Sequence, residues 1–302
     1  MTSRKVVGVF LNSASHAPHI NTLTAMTHGI RETTDDLVFL SNSTKYMDCD
    51  TAIIFGSWKD RLTKHHVLKM DVVNKHKGTL IVIETPLLGR TITEDHRYYR
   101  VGQSHYMDTL GFFNNKNSSK ERWGIIRTDL GLEVKDWRKD GDHILFLMQL
   151  PGDAATANVD ILQWLQDEII KCKKISNRPI RIRMHPLISS YDLSKFEEFV
   201  EKQKDVKMVF GHKDPITMDL ENCWATVSFT SGGSVDSLLA GVPVITPSPL
   251  NFAYPISSHT IEDIENPKME DRQQLLNDLA FTQWTVTEMA HGLPYKHLLD
   301  ND

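Results

Sequence analysis

The chain has 302 residues, 40% hydrophobic and 24% charged, with a net charge of −5. This is globular composition at a length that fits two domains, and it argues against a disordered chain or an all-over polyanion binder. No apolar run approaches the ~20 residues of a membrane span, no signal-peptide pattern precedes the first strand, and the three cysteines Cys49, Cys172 and Cys223 form neither a disulfide framework nor a zinc spacing. Each cysteine reads as a small buried apolar residue, and the cytoplasm is the expected location.

Lys5–Leu11 reads as a buried strand, followed by a polar turn over Ser13–Pro18 and a helix over Asn21–Ile30. Leu37–Leu40 and Thr51–Phe55 are strands, Arg61–Lys75 is an amphipathic helix, and Thr79–Ile83 is a strand that ends at Glu84-Thr85-Pro86. Continuous apolar runs separated by helical patterns mark a parallel sheet covered on both faces. Trp123–Trp137 has no clear period, and a boundary is expected near Asp140-Gly141-Asp142. The alternation then restarts, with strands over His143–Met148, Pro179–Arg183, Val206–Phe210, Trp224–Ser228 and Val242–Ile245. Helices are expected over Asn158–Lys174, Lys195–Gln203, Gly233–Ala240 and, closing the chain, Arg272–Ala290. The expected architecture is α/β, with two Rossmann-like domains facing across a cleft. They span 1–139 and 140–267, and residues 268–302 form a helix that packs back on the first domain.

Charge divides unevenly: residues 1–139 carry 20 Lys and Arg against 15 Asp and Glu, and the remainder carries 14 against 24. A basic half suits a polyanionic partner, although solvated surface charge explains the split equally well.

Ligands of open α/β sheets sit beyond the carboxyl ends of the strands. Two such ends carry chemistry in the second half. In Ser228-Phe-Thr-Ser-Gly-Gly-Ser-Val-Asp236, a strand passes through a hydroxyl-rich glycine turn into a helix. Gly232 and Gly233 allow close backbone approach, the helix start offers N–H donors, and Thr230, Ser231 and Ser234 add hydroxyls. A diphosphate suits this turn; a plain N-capping role is the competing explanation. The turn is neither a Walker loop nor a GxGxxG dinucleotide fingerprint. Asp236 is placed either to accept from sugar hydroxyls or to stabilise the helix start. In Arg181-Ile-Arg-Met-His-Pro186, the proline holds His185 out of helical geometry at a strand end. From there its ring can donate to a phosphate, assisted by Arg183 or Arg181, or simply cap a carbonyl.

Together, Arg183-Met-His-Pro186, the run Ser228–Val244 and the closing segment with Trp284 resemble GT-B glycosyltransferases of the His-Pro branch, which includes capsule-polysaccharide and sialic-acid transferases. The resemblance implies that the serine-rich turn and His185 hold the donor's phosphates, and that Asp236 contacts the donor ribose or sugar where many members have Glu. It also implies a final helix that crosses back to the first domain. In the first half, Glu84-Thr-Pro-Leu-Leu-Gly-Arg90, Tyr98-Tyr-Arg-Val-Gly102, Trp137-Arg138 and Gln149-Leu-Pro-Gly-Asp153 resemble glycosyltransferases of tailed bacteriophages. Some enzymes of that kind glycosylate 5-hydroxymethylcytosine in DNA, with arabinose or glucose as the sugar. A bacterial surface saccharide is the alternative acceptor, and a non-catalytic nucleotide-sugar binder is the alternative class.

The expected co-substrate is a UDP-sugar, with no other cofactor. Many GT-B enzymes stabilise the leaving diphosphate without a bound metal, so the resemblance implies metal independence. Candidate bases in the first half are Glu84, Asp95, His16 and His19, each equally explained as a loop residue satisfying backbone groups. Arg90 is a phosphate-binding candidate. For double-stranded DNA, Lys59, Arg61, Lys64 and Lys69 would meet phosphates, while Trp58, Tyr98 or Tyr99 fills the gap left by a flipped base. The same lysine spacing fits one solvated helix face.

Overall fold

The computed structural model describes residues 4–59, 62–90, 95–156, 159–210 and 215–299. In chain order the elements begin with β1 (Val6–Phe10), α1 (Ala17–Thr33), β2 (Leu37–Ser41), β3 (Thr51–Phe55), α2 (Lys64–Lys75), β4 (Thr79–Glu84), β5 (Tyr98–Gln103) and α3 (Lys120–Leu130). They continue with β6 (His143–Leu147), α4 (Ile161–Ile175), β7 (Ile180–Met184), α5 (Ser190–Glu201), β8 (Val206–Phe210), α6 (Ile216–Asp219), β9 (Cys223–Ser228), α7 (Gly233–Leu239) and β10 (Val244–Ile245). The chain closes with α8 (Gln273–Ala280), β11 (Gln283–Thr285), α9 (Val286–Ala290) and α10 (Leu293–Leu299). Among the described residues no helix is long and apolar enough to cross a membrane.

Two compact units result: Met1–Arg122 with Asn277–Asp302, and Trp123–Leu276. The expected boundary at Asp140–Asp142 therefore falls inside the second unit. The cause lies in the segment after α3: Lys135 donates its N–H to Leu239 and Arg138 to Gly241, stitching this stretch to the second unit's own helix α7 and the turn after it.

The first unit's sheet has the order β11-β5-β4-β3-β1-β2. Strands β1 to β4 are mutually parallel, whereas β5 runs antiparallel to β4 and β11 antiparallel to β5. Helix α1 buries Leu23, Met26 and Ile30 at helical spacing against Val7, Val9, Ile53 and Ile81.

The long closing helix expected over Arg272–Ala290 is instead broken into α8, β11 and α9. Gln283 is fully buried; its side-chain oxygen accepts from the N–H groups of Leu87 (3.1 Å) and Leu88 (3.0 Å), and its nitrogen donates to the Leu88 carbonyl at 3.1 Å. Extended backbone delivers that amide, and Trp284 beside it pairs with Tyr99 in the antiparallel ladder. Thr285 then caps α9 in a reciprocal box with Glu288. Arg122 grips this returning segment: it donates to the carbonyls of Ala280 (2.9 Å) and Gln283 (2.7 Å), pairs with Glu288 at 2.7 Å and lies 4.0 Å over the Trp284 ring.

The second unit's sheet is wholly parallel, with the order β10-β9-β6-β7-β8. Helix α4 starts where Asp160 accepts from the Gln163 N–H, and it buries Ile161, Leu165, Ile169 and Cys172 along one stripe. That stripe packs on Ile144, Phe146, Ile180 and Ile182. Burial pushes the thiols of Cys172 and Cys223 up to about 12, so both behave as small apolar residues. The expected helix start at Asn158 lies outside the described residues.

Candidate functional site

In the second unit, β6 is central; the chain moves to one side through β7 and β8, then returns to the other through β9 and β10. The switch point therefore falls between β6 and β9, the place beyond the strand ends where sheets of this kind take their ligands. The loop after β6 begins at Met148, and that after β9 at Phe229.

Buried amides hold these loops. Gln149 accepts from the Thr230 N–H at 2.7 Å and donates to its hydroxyl oxygen at 2.6 Å, while that hydroxyl donates to the Ala155 carbonyl at 2.6 Å. Asn251, 1% exposed, donates to the Ser234 hydroxyl at 3.0 Å and the Phe229 carbonyl at 3.2 Å, and accepts from the Ala253 N–H. Ser228 accepts from the Ser231 N–H at 3.1 Å. Thr230 and Ser234 are thus buried parts of the frame, not hydroxyls facing a ligand. What remains on the surface of the turn is the half-buried Ser231 hydroxyl and the Gly232 N–H, which has no acceptor among the described residues. Gly233 answers a packing demand: a Cβ there would lie 2.8 Å from Ile216 and 3.1 Å from Leu147. Asp236 is half-buried in the first turn of α7.

His185 follows β7, the strand next to β6, so it stands beside the same switch point. Its Nδ1 accepts from the Leu187 N–H at 3.1 Å. That bond fixes the orientation of the ring at the strand end. Arg183 is turned elsewhere: its guanidinium pairs with Asp219 at the end of α6, both side chains being mostly buried. That ion pair offsets the guanidinium's charge. Arg181 lies back from the strand end, paired with Leu145 in mid-sheet.

The first unit has its own switch point, between β1 and β3. Ser13 ties the two strand ends, donating to the Phe10 carbonyl at 2.6 Å and accepting from the Phe55 N–H at 2.8 Å. His16 caps α1 in the open, whereas His19 is 8% exposed and stacks on Phe55 with ring centres 4.0 Å apart. Glu84, the last residue of β4, accepts from the Ser57 N–H at 2.9 Å and the Thr85 N–H at 2.7 Å. It clasps the loops after β3 and β4. Gly56, at φ +81°, faces both the Lys69 ammonium and the Glu84 carboxylate. Arg100 lies opposite Glu84 in the β4–β5 register and is buried.

Other candidates from the sequence scatter around this switch point. Asp95 and Arg90 are exposed on either side of a stretch outside the described residues. Trp58 is half-buried, edge-on to His105 at 5.0 Å and to Tyr106 at 5.6 Å. Tyr98 and Tyr99 are 5% and 1% exposed members of the sheet, so neither is placed to fill a gap in a nucleic-acid stack. Lys64 is exposed and Lys59 half-buried, but Lys69 is 4% exposed, so the lysines do not form one solvated face; Arg61 lies outside the described residues. His96, missed in the sequence, is buried, and its pKa falls to about 4 through burial first and then the nearby Arg90 and His19 charges, against Glu84 and Asp95. Among the described residues no group of three or more His, Cys, Asp or Glu could hold a metal ion.

No protein-family model matches the sequence, and no curated protein matches it. The fold does have solved counterparts. One is Thermosulfurimonas dismutans KpsC, beta Kdo 2,4 transferase, at a TM-score of 0.56 and 12% identity, covering 92% of this chain and 91% of that one. Another is Thermosulfurimonas dismutans KpsC, beta Kdo 2,7 transferase, at 0.54 and 13%, covering 96% and 98%. The likeness is one of fold, and it places the chain's two Rossmann-like units in the GT-B type that its motifs led one to expect.

Proposed function

We propose that the protein is a nucleotide-sugar-dependent glycosyltransferase whose second unit binds the donor and whose first unit binds the acceptor. One observation carries this reading: His185, its ring oriented by a backbone bond to Nδ1, stands at a strand end beside a switch-point turn that offers Ser231 and Gly232 as donors. A phosphate leaving group needs that kind of uncharged, pre-oriented hydrogen bonding. The fold, shared with two Kdo transferases, supports the same chemistry.

The acceptor we favour is a bacterial saccharide, since both of those transferases act in saccharide chemistry. The second reading is 5-hydroxymethylcytosine in phage DNA, favoured by the excess of Lys and Arg over acids in residues 1–139. Burial of Tyr98, Tyr99 and Lys69 removes three of the residues that reading would use. The test is a panel of labelled UDP-sugars and nucleotide-activated Kdo, offered in parallel with oligosaccharide, hydroxymethylated duplex DNA and unmodified DNA. Label in oligosaccharide alone is the expected result. Label only in hydroxymethylated DNA would reverse the ranking, and no label from any donor would remove the transferase reading.

A further inference from the structure

Resting on that transferase reading, we propose that His65 takes the proton from the acceptor hydroxyl at the switch point between the ends of β1 and β3, with His16 beside it. The topology brings the segments that carry these two imidazoles to the same end of the sheet. From β1 the chain passes through a tight turn at Leu11–Ser13 to His16, the N-cap of α1; from β3 it passes through Gly56–Lys59 to α2, whose first turn carries His65. The Leu11–Ser13 turn packs against α2. One crossover leads to β2 and the other to β4, on opposite sides of the β1–β3 pair, so the two histidines border the place where the loops part.

Of four other candidate bases, three are held within the fold and one is exposed. Glu84 is clasped by two backbone amides, His19 lies flat on Phe55, His96 is buried, and Asp95 is exposed in the loop before β5. His65 is half-buried, with the Thr63 hydroxyl 3.4 Å from Nε2 and the His66 ring 4.3 Å from its own. Burial lowers its pKa first, followed by Lys69 on its own helix, His16 from the α1 cap and Lys59 from the loop after β3. The ring is therefore unprotonated near neutral pH and able to receive a proton.

The step balances without any further reactant. The acceptor O–H bond breaks and its proton passes to an imidazole nitrogen of His65. The freed oxygen bonds to the anomeric carbon. The bond from that carbon to the donor phosphate breaks, with its electron pair leaving on the phosphate oxygen. Solvent then takes the proton from the ring. A single displacement inverts the anomeric configuration.

The test uses the full chain with the donor and acceptor identified by the panel above. His65→Gln is expected to lower kcat at least about 100-fold, with donor Kd and Tm unchanged. The product anomer is expected to be inverted. His16→Gln removes a neighbouring charge, so the acid limb of kcat/KM should move to higher pH. Normal turnover by His65→Gln, or a retained anomer, overturns the base role while leaving the transferase reading intact. Should the unsubstituted protein transfer nothing, the transferase reading falls and the base role with it. Ring-proton NMR tests the pairing separately: a His65 titration that does not move in His16→Gln overturns it.

Discussion

The two switch points solve the same topological problem with opposite materials. In the second unit, Gln149, Asn251, Ser228 and Thr230 form an uncharged lattice, and the nearest guanidinium, Arg183, is held by Asp219. In the first, histidines, Lys69, Arg100 and Glu84 crowd the strand ends, and burial first, with neighbouring charge, lowers the pKa of His65, His96 and Arg100. Neutral buried donors resist pH and are hard to replace, because each lost partner strands another polar group. Charged clusters respond to pH and to single substitutions through their neighbours. The comparison therefore separates a pH-insensitive loop frame in the second unit from a pH-sensitive cluster in the first.

The largest effect expected of any substitution is at His185. His185→Ala should reduce kcat by about 10²–10³-fold and raise the donor KM, the loss typical of removing one preorganised donor to a developing anion; steady-state kinetics with unchanged turnover would end the proposed role.

The next tests the first unit's sensitivity. His96 titrates near 4 in the fold against 6.5 as a free residue. Its folded pKa is depressed, so the unfolded chain binds the proton first. The stability it contributes is fully present above pH 6.5 and is lost as pH falls from there towards 4. That window is worth roughly 3 kcal/mol. Urea unfolding at pH 7 and pH 4.5 should show the loss, and His96→Gln should flatten it; an identical slope in the variant would break the assignment.

Asn251→Ala should destabilise the second unit by about 2 kcal/mol, since Ser234 and the Phe229 carbonyl lose their buried donor. The same variant should weaken donor binding in calorimetry, with little dependence on pH between 6 and 8. A strongly pH-dependent loss would erase the contrast between the sites. Smallest is Asp236→Ala, expected to shift donor preference by about 1 kcal/mol or less, read from competing nucleotide sugars; an unchanged profile would remove the sugar or ribose contact.

Much of the fold was legible because its signals were local. Apolar runs such as Thr51–Phe55 and His143–Leu147 can only be covered strands, and the His-Pro and glycine-turn segments announce strand ends. Three things escaped. Strand β11 is only three residues long inside a helical pattern, and what extends it is Gln283 reaching the Leu87–Leu88 backbone, a contact across 195 or more positions. The unit boundary at Arg122 depends on which carbonyls the Lys135–Arg138 stretch meets, which no periodicity reports. Gln149 and Asn251 look like ordinary loop amides, and their importance lies in burial alone; the same burial took Thr230, Ser234 and Tyr98 out of the ligand-facing set. Residue type marked the turns at strand ends better than it marked which of their atoms face outward.

The return of the chain to its first sheet has a consequence for synthesis. Strand β11, the Gln283 clasp and the Glu288 partner of Arg122 all lie beyond Leu276, after the second unit's sequence is complete. A ribosome therefore makes every residue of the second unit while the first still lacks an edge strand and the anchor for its Leu87–Leu88 loop. The second unit's sequence is complete before the first unit's, and a nascent chain whose second unit has emerged without the residues beyond Leu276 should present that unit protease-resistant and the first still open to cleavage.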